Sequence, residues 1–146
     1  MHLSLFSDYA LRTLMYLGGQ QGRQCTLREV ASAYDISVEH LRKVVHRLAT
    51  SGYIESRKGR GGGIRLGRPA EKIHLGRVVR LMEGDQEVID CEGQECVLLP
   101  RCALRTRLRR ALNAFYAELD ESTLADILEE GGMQAKLVRI RPAEAR

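Results

Sequence analysis

The chain has 146 residues, enough for one ordinary domain, or one domain with a long appendage, around a real core. Lys and Arg outnumber Asp and Glu by 23 to 19, for a net charge of +4, so the placement of the basic residues says more than their number. No stretch reaches the ~18 consecutive apolar residues of a membrane span. The opening MHLSLFSDYALR carries Asp8 and Arg12 with no small-residue cleavage site after it, so a cytoplasmic protein with neither leader nor membrane partner is expected.

A first helix is predicted in SDYALRTLMYLGG. Ser7 is its N-cap, Asp8 favours the positive end of its dipole, and Gly18-Gly19 stops it. Ala10, Leu11, Leu14, Met15 and Leu17 form its apolar face. The stretch CTLREVASAYDISVEHLRKVVHRLATSGY reads as two helices joined by a tight turn at Asp35-Ile36-Ser37. Thr26 and Glu29 form a capping box on the first, and Ser37 caps the second. Leu41, Val44, Val45 and Leu48 recur at helical spacing and point inward, which leaves Glu39, His40, Arg42, Lys43, His46 and Arg47 outward.

Two short strands come next, Tyr53 to Arg57 and Ile64 to Leu66, around a basic, glycine-rich tip. KIHLGRVVRLMEG gives a brief extended piece and a short helix closed by Gly84, with Leu75, Val78, Val79 and Met82 inward. A polar loop leads to Pro100, placed at the first position of a long helix. Leu104, Leu108, Ala111, Leu112, Phe115 and Leu119 keep an apolar stripe along it. Thr123 and Asp126 cap a last short helix ending at Gly131-Gly132, KLVRI adds a short strand, and RPAEAR is a loose tail.

Two helices, a tight turn and a basic hairpin, in that order, predict a mainly α chain with a small β wing: a winged helix-turn-helix plus a long dimerisation helix. A helix in the major groove must offer polar groups to base edges, and Glu39, His40, Arg42 and Lys43 do so. A wing must be slender and positive. Gly59, Gly61, Gly62 and Gly63 remove bulk while Arg57, Lys58 and Arg60 supply charge. Thr26 and Ser37 are the other candidate DNA contacts. GRGGGI is not a nucleotide loop, since Ile64 stands where the last glycine of G-x-G-x-x-G belongs and no G-K-[ST] comes after it. No Ser-His-Asp set or paired acid marks an enzyme.

DCEGQECVLLPRC places Cys91, Cys96 and Cys102 within thirteen positions, and the fourth cysteine, Cys25, is a solitary packing residue. Soft thiolates in a reducing compartment suit zinc or an iron–sulfur cluster. Structural zinc sites favour C-x2-C pairs. Gaps of four and five residues suit a larger object, and the end of the long helix beside Cys102 favours an anionic one. Arg101, Arg105, Arg107, Arg109 and Arg110 read as a solvated face.

The start LFSDYALRTLMYL, the wing stretch GYIESRKGRGGGIRLGRPAEKIHLGRVVRLMEG, the cysteine trio and AELDESTLADIL together resemble the bacterial winged-helix iron–sulfur repressors of the IscR/NsrR type. The resemblance implies a homodimer on a pseudo-palindromic double-stranded operator. In the IscR branch a histidine just after the third cysteine completes a [2Fe–2S] cluster that reports iron–sulfur supply or redox state. Here CALRTRL stands there, without a histidine. The NsrR branch implies a [4Fe–4S] cluster on Cys91, Cys96 and Cys102, with Asp8 of the partner subunit as fourth ligand. It also implies nitric oxide as the signal whose reaction with the cluster relieves repression of nitric-oxide detoxification genes. Asp8 has a simpler role open to it, pairing with Arg12 at i, i+4, and His2 and His74 are lesser substitutes as ligand. An iron–sulfur electron carrier is the remote alternative; it needs no basic wing and normally has four cysteines. The expected organisation is 1–84 for DNA binding, 85–102 for the cluster loop, 100–131 for dimerisation and 132–146 for the tail.

Overall fold

A computed structural model describes residues 2–84, 87–93, 96–133 and 136–137. Among these residues, six helices and one hairpin lie in chain order: α1 (Leu5–Gly19), α2 (Leu27–Tyr34), α3 (Val38–Thr50), β1 (Ile54–Arg57), β2 (Gly63–Leu66), α4 (Leu75–Glu83), α5 (Ala103–Asp120) and α6 (Leu124–Glu129). Single 3-10 turns lie at Ala70–Lys72 and Glu130–Gly132. This is the mainly helical chain with a two-stranded wing that the sequence predicts.

Helix α1 is the hub. Ala10, Leu14, Tyr16 and Leu17 are fully or almost fully buried, and α2, α3, α4, α6 and β2 all pack on it. Its N-cap is Ser4, three residues before the expected Ser7: the Ser4 hydroxyl accepts from the Ser7 amide at 3.2 Å. Ser7 is buried instead, its hydroxyl donating to Glu83 at the end of α4, while the Ser4 amide and hydroxyl each donate to the same carboxylate oxygen at 2.8 Å. The helix ends at Gly19, as the Gly18-Gly19 pair predicts, although neither glycine adopts a left-handed cap conformation. Both are helical, and they are small because Leu128 of α6 and Leu137 press on them. A Cβ on Gly18 would stand 2.6 Å from Leu128, and one on Gly19 2.7 Å from Leu137.

The capping box of α2 forms as predicted, with the Glu29 amide donating to the Thr26 hydroxyl at 3.1 Å. Glu29 also accepts from Tyr16 of α1 at 3.0 Å and from Arg23. Burial pushes its pKa up, but the hydrogen bonds from Arg23, Tyr16 and the Thr26 amide outweigh this and hold it below the usual carboxylate range. Asp35 makes the turn in the left-handed region, at φ 53°. Ser37 occupies the N-cap position of α3 but its side chain makes no capping bond there.

The wing strands are antiparallel, with Ile54 opposite Leu66 and Arg57 opposite Gly63. Cys25 forms an isolated antiparallel bridge to β2: its amide donates to the Ile64 carbonyl at 2.9 Å and its carbonyl accepts from the Ile64 amide at 2.7 Å. This pairing explains Gly63, where a Cβ would stand 2.6 Å from the Cys25 carbonyl oxygen. The Cys25 thiol is fully buried, and that burial raises its pKa to about 11.

Helix α4 crosses α5 at Gly76, where any Cβ would collide with the Tyr116 carbonyl oxygen. Asp120 closes the same junction by accepting from the Arg77 amide at 2.7 Å. Two expectations at α5 shift. Pro100 lies before the helix, after a cis peptide bond, and Cys102 is the N-cap residue rather than a first-turn one. The Thr123–Asp126 box on α6 forms as predicted, and Leu124 and Leu128 are buried. Of the KLVRI strand, Lys136 and Leu137 are helical and the rest lies outside the described residues.

Gly76→Ala forces α4 and α5 apart and is expected to lower stability by about 1–3 kcal/mol, read as a shift in the urea midpoint with unchanged slope. Cys25, protonated while folded, contributes stability that is present below its ordinary pKa of 9.0 and lost as pH rises toward about 11. Native protein at pH 8 is therefore expected to resist alkylation at Cys25, checked by mass spectrometry with and without denaturant.

Candidate functional site

Two surfaces concentrate the candidate residues. The first is the outer side of α3 with the wing. Glu39, His40, Arg42, Lys43, His46 and Arg47 are all exposed, as the helical spacing requires, because Leu41, Val44, Val45 and Leu48 are buried on the other side. Arg42 and Glu39 form a loose exposed pair at 3.5 Å. Thr26 and Ser37 are exposed at the N-terminal ends of α2 and α3, with the Thr26 hydroxyl already engaged in its capping box.

In the wing the cations divide by role. Arg65 pairs across the strands with Glu55 at 2.6 Å, and Arg57 approaches the same carboxylate at 3.6 Å. Arg68 stacks on Tyr53 at 4.4 Å and donates to the carbonyls of Ser51 and Gly52 at 2.7 and 2.9 Å, so it braces the wing's base. Lys58 and Arg60, exposed at the tip, have no carboxylate partner among the described residues, and the same holds for Lys43 on α3. Gly59 and Gly61 hold the tip at φ 94° and 78°, a region closed to most side chains.

The second surface is the cysteine loop and the start of α5. Cys91, Cys96 and Cys102 are free, half-buried thiols lining one cavity of about 160 Å³. Its exposed wall is otherwise mostly apolar, built from Val88, Ile89, Leu98, Leu104, Leu108 and Leu112, with Glu87, Arg105 and Arg109 also lining it. Burial raises the Cys91 pKa, with the neighbouring Cys96 adding to the effect, the Arg105 guanidinium opposing it, and Glu87 and Cys102 raising it further. The thiols share a cavity without closing on one point: among the described residues no three His, Cys, Asp or Glu side chains are placed to hold a single metal ion.

Asp8 is not in this cavity. It accepts a two-pronged bond from Arg12 at 2.8 and 2.9 Å on the exposed side of α1. His2 is exposed near the loop beside Val88, and His74 Nδ1 lies 2.9 Å from the Asp120 carbonyl, within the α4–α5 junction. Arg105 departs from the solvated face expected of it. Its side chain is 19% exposed and it pairs with Glu87 at 2.8 Å and Glu92 at 2.6 Å. The missed signal is its position: three residues after Cys102, it shares a helix face with the third thiol.

The stripe on α5 is only half-covered. Leu108, Leu112, Phe115 and Leu119 are partly exposed and Leu104 is 60% exposed, with Tyr116 the buried residue of the helix. Val97 (94% exposed) and Leu98 extend this apolar surface onto the loop. No helix among the described residues is long and apolar enough to cross a membrane.

Residues 3–130 match the Rrf2 family, described as "Iron-dependent Transcriptional regulator". Among solved structures, the oxidised form of CymR from Staphylococcus aureus is similar at 30% identity, covering 88% of this chain and 97% of that one with a TM-score of 0.69. CymR of B. subtilis, described as the global cysteine regulator, is 25% identical over 87% of this chain and 95% of its own, with a TM-score of 0.70. The T. potens IscR shares the fold at 22% identity, covering 89% of this chain and 88% of its own, with a TM-score of 0.69. With nearly all of its described fold inside the family match, this chain belongs to the Rrf2 family of transcriptional regulators.

Proposed function

We propose that this regulator is a cytoplasmic, homodimeric repressor that holds a [4Fe–4S] cluster on Cys91, Cys96 and Cys102 and responds to nitric oxide. The observation that carries the reading is the convergence of three free thiols on one mostly apolar cavity. An apolar wall keeps water from competing for iron and favours soft thiolate ligands, and the family's description as iron-dependent agrees with it. When bound, the cluster supplies iron able to react with a small diatomic molecule.

The chain's own residues do the rest. Three thiolates leave one ligand position for another donor. Asp8 of the partner subunit is the candidate. Its bond to Arg12 is an exposed i, i+4 pair worth only ~0.3–0.5 kcal/mol, so exchanging it is inexpensive. The half-covered stripe of α5 is the proposed dimer surface, since pairing two stripes removes Leu104, Leu108 and Leu112 from water. Outward residues of α3 read base edges, with Glu39, His40, Arg42 and Lys43 nearest to that task and Ser37 at the helix start. Arg57, Lys58 and Arg60 hold phosphates. A dimer then meets a pseudo-palindromic operator with two such faces, and loss of a ligand shared between subunits alters their spacing. The B. subtilis relative's role in cysteine regulation supports a second reading, a regulator answering to thiol supply.

The deciding experiment is an anaerobic nitric-oxide titration of purified protein with absorbance and operator binding followed together. About four irons and four sulfides per chain are expected, with bleaching and DNA release in step. Two irons per chain would favour an IscR-like [2Fe–2S] centre, and none would favour the thiol-supply reading. Cys96→Ala is expected to abolish cluster assembly and operator binding that depends on it. For the DNA face, Lys58→Ala and Arg60→Ala should each weaken operator and random DNA alike and lower the salt slope by about 1. Arg42→Ala should cost ~1–3 kcal/mol on the operator and relax base preference. Anisotropy titrations at several salt concentrations measure both, and unchanged slopes would remove the wing from the interface.

A further inference from the structure

The segment from Glu87 to Leu99 has no regular secondary structure among its described residues, yet two of its cysteines must reach a third on α5. Its backbone bonds are internal: Cys91 to Ile89 at 2.9 Å, Cys96 to Cys91 at 3.3 Å and Leu99 to Cys96 at 3.1 Å. Among the described residues, the polar links from this segment to the rest of the molecule are those made by Arg105 and Arg109. Arg105 Nε donates to both Glu87 oxygens at 3.1 and 2.8 Å, and Nη2 donates to Glu87 at 2.8 Å and to Glu92 at 2.6 Å. Arg109 adds a looser contact to Glu87 at 3.4 Å.

Glu87 and Glu92 flank Cys91 at four residues before and one after, and Arg105 stands one turn beyond Cys102. One guanidinium therefore grips the chain on both sides of the first thiol and ties it to the helix that bears the third. We propose that Arg105 is a latch that assembles the three-thiol site before any cluster arrives. This rests on the reading of Cys91, Cys96 and Cys102 as one ligand set. The latch works by geometry, not by neutralising thiolates: the charges of Arg105 and Arg109 are matched by Glu87 and Glu92, so the quartet brings no net charge to the cavity. The grip on Glu87 carries most of the effect. Glu87 is 31% exposed and held by a fork, whereas Glu92 is 75% exposed and bonded once. Lysine cannot reproduce the fork, because its single ammonium has no planar pair of donors.

The test is site-resolved alkylation of full-length, reduced, cluster-free protein by iodoacetamide, with iron retention against a chelator after reconstitution as a second readout. Arg105→Ala and, from the loop side, Glu87→Gln are each expected to raise the limiting, fully ionised alkylation rate of Cys91 roughly tenfold, a quantity read from the pH profile and free of the opposite effects of the two charges on its ionisation. Cys102, fixed on α5, and buried Cys25 should keep their rates. Arg105→Lys should fail to restore protection, and Arg107→Ala, on an exposed part of the same helix, should match wild type. Unchanged limiting Cys91 rates in both variants would overturn the latch, as would a parallel rise at Cys25, which reports general loosening. Iron released from Arg105→Ala at the wild-type rate would also overturn it. If wild-type protein takes up no iron while Cys91 still responds, the latch stands and the cluster assignment falls.

Discussion

The burial of the inner face of α1 under five other elements is the constraint from which the rest of the molecule takes its position. A helix whose Leu14 and Tyr16 are wholly excluded from water leaves its neighbours little freedom to slide, because a close-packed interior resists shifts of even a methylene. Helix α3, the wing strand β2 and the α4 helix that precedes the cysteine loop all lean on it. Both ends of α1 are pinned by polar contacts as well as by packing. Glu83 gathers Ser4 and Ser7 at its start, and Tyr16 reaches Glu29 near its finish. The helix thus touches the element that leads into the thiol loop and the element that opens the helix-turn-helix.

Much of this was legible in the sequence. Local chemistry with few competitors read well: the Thr26–Glu29 and Thr123–Asp126 boxes, the Asp35 turn, and the inward stripe of α3. What was not legible shares a cause. Ser7 makes a good N-cap on paper, but tertiary packing assigned it to Glu83, 76 positions away, and Ser4 took its place. Gly18 and Gly19 do end the helix, but what requires their small size is Leu128 and Leu137 packed against them. Distant neighbours set the residue's role in each case, and a single sequence shows no trace of those neighbours.

The candidate sites divide in the same way. Outwardness of the α3 side chains follows from periodicity alone, and the three cysteines announce themselves by number and spacing. What could not be seen was that five arginines near Cys102 do different things. Arg105 turns inward to two glutamates on a loop whose path no periodicity encodes, while Arg107 stays exposed. Among the wing's cations, too, Arg65 and Arg68 hold the hairpin together while Lys58 and Arg60 have no carboxylate partner among the described residues. Equal charge in the sequence became unequal availability in the fold.

The braced base and glycine tip of the wing have a kinetic meaning. Arg68 stacked on Tyr53 and Arg65 paired with Glu55 stiffen the hairpin up to its last rungs, and beyond them the chain is mostly glycine. Glycine gives up more conformational entropy on being fixed than any other residue. A tip that settles on a phosphate therefore returns part of the charge attraction as lost freedom, and the contact stays shallow. Shallow contacts dissociate quickly. In the repressor proposed above, such a tip would give an outer grip that does not hold for long.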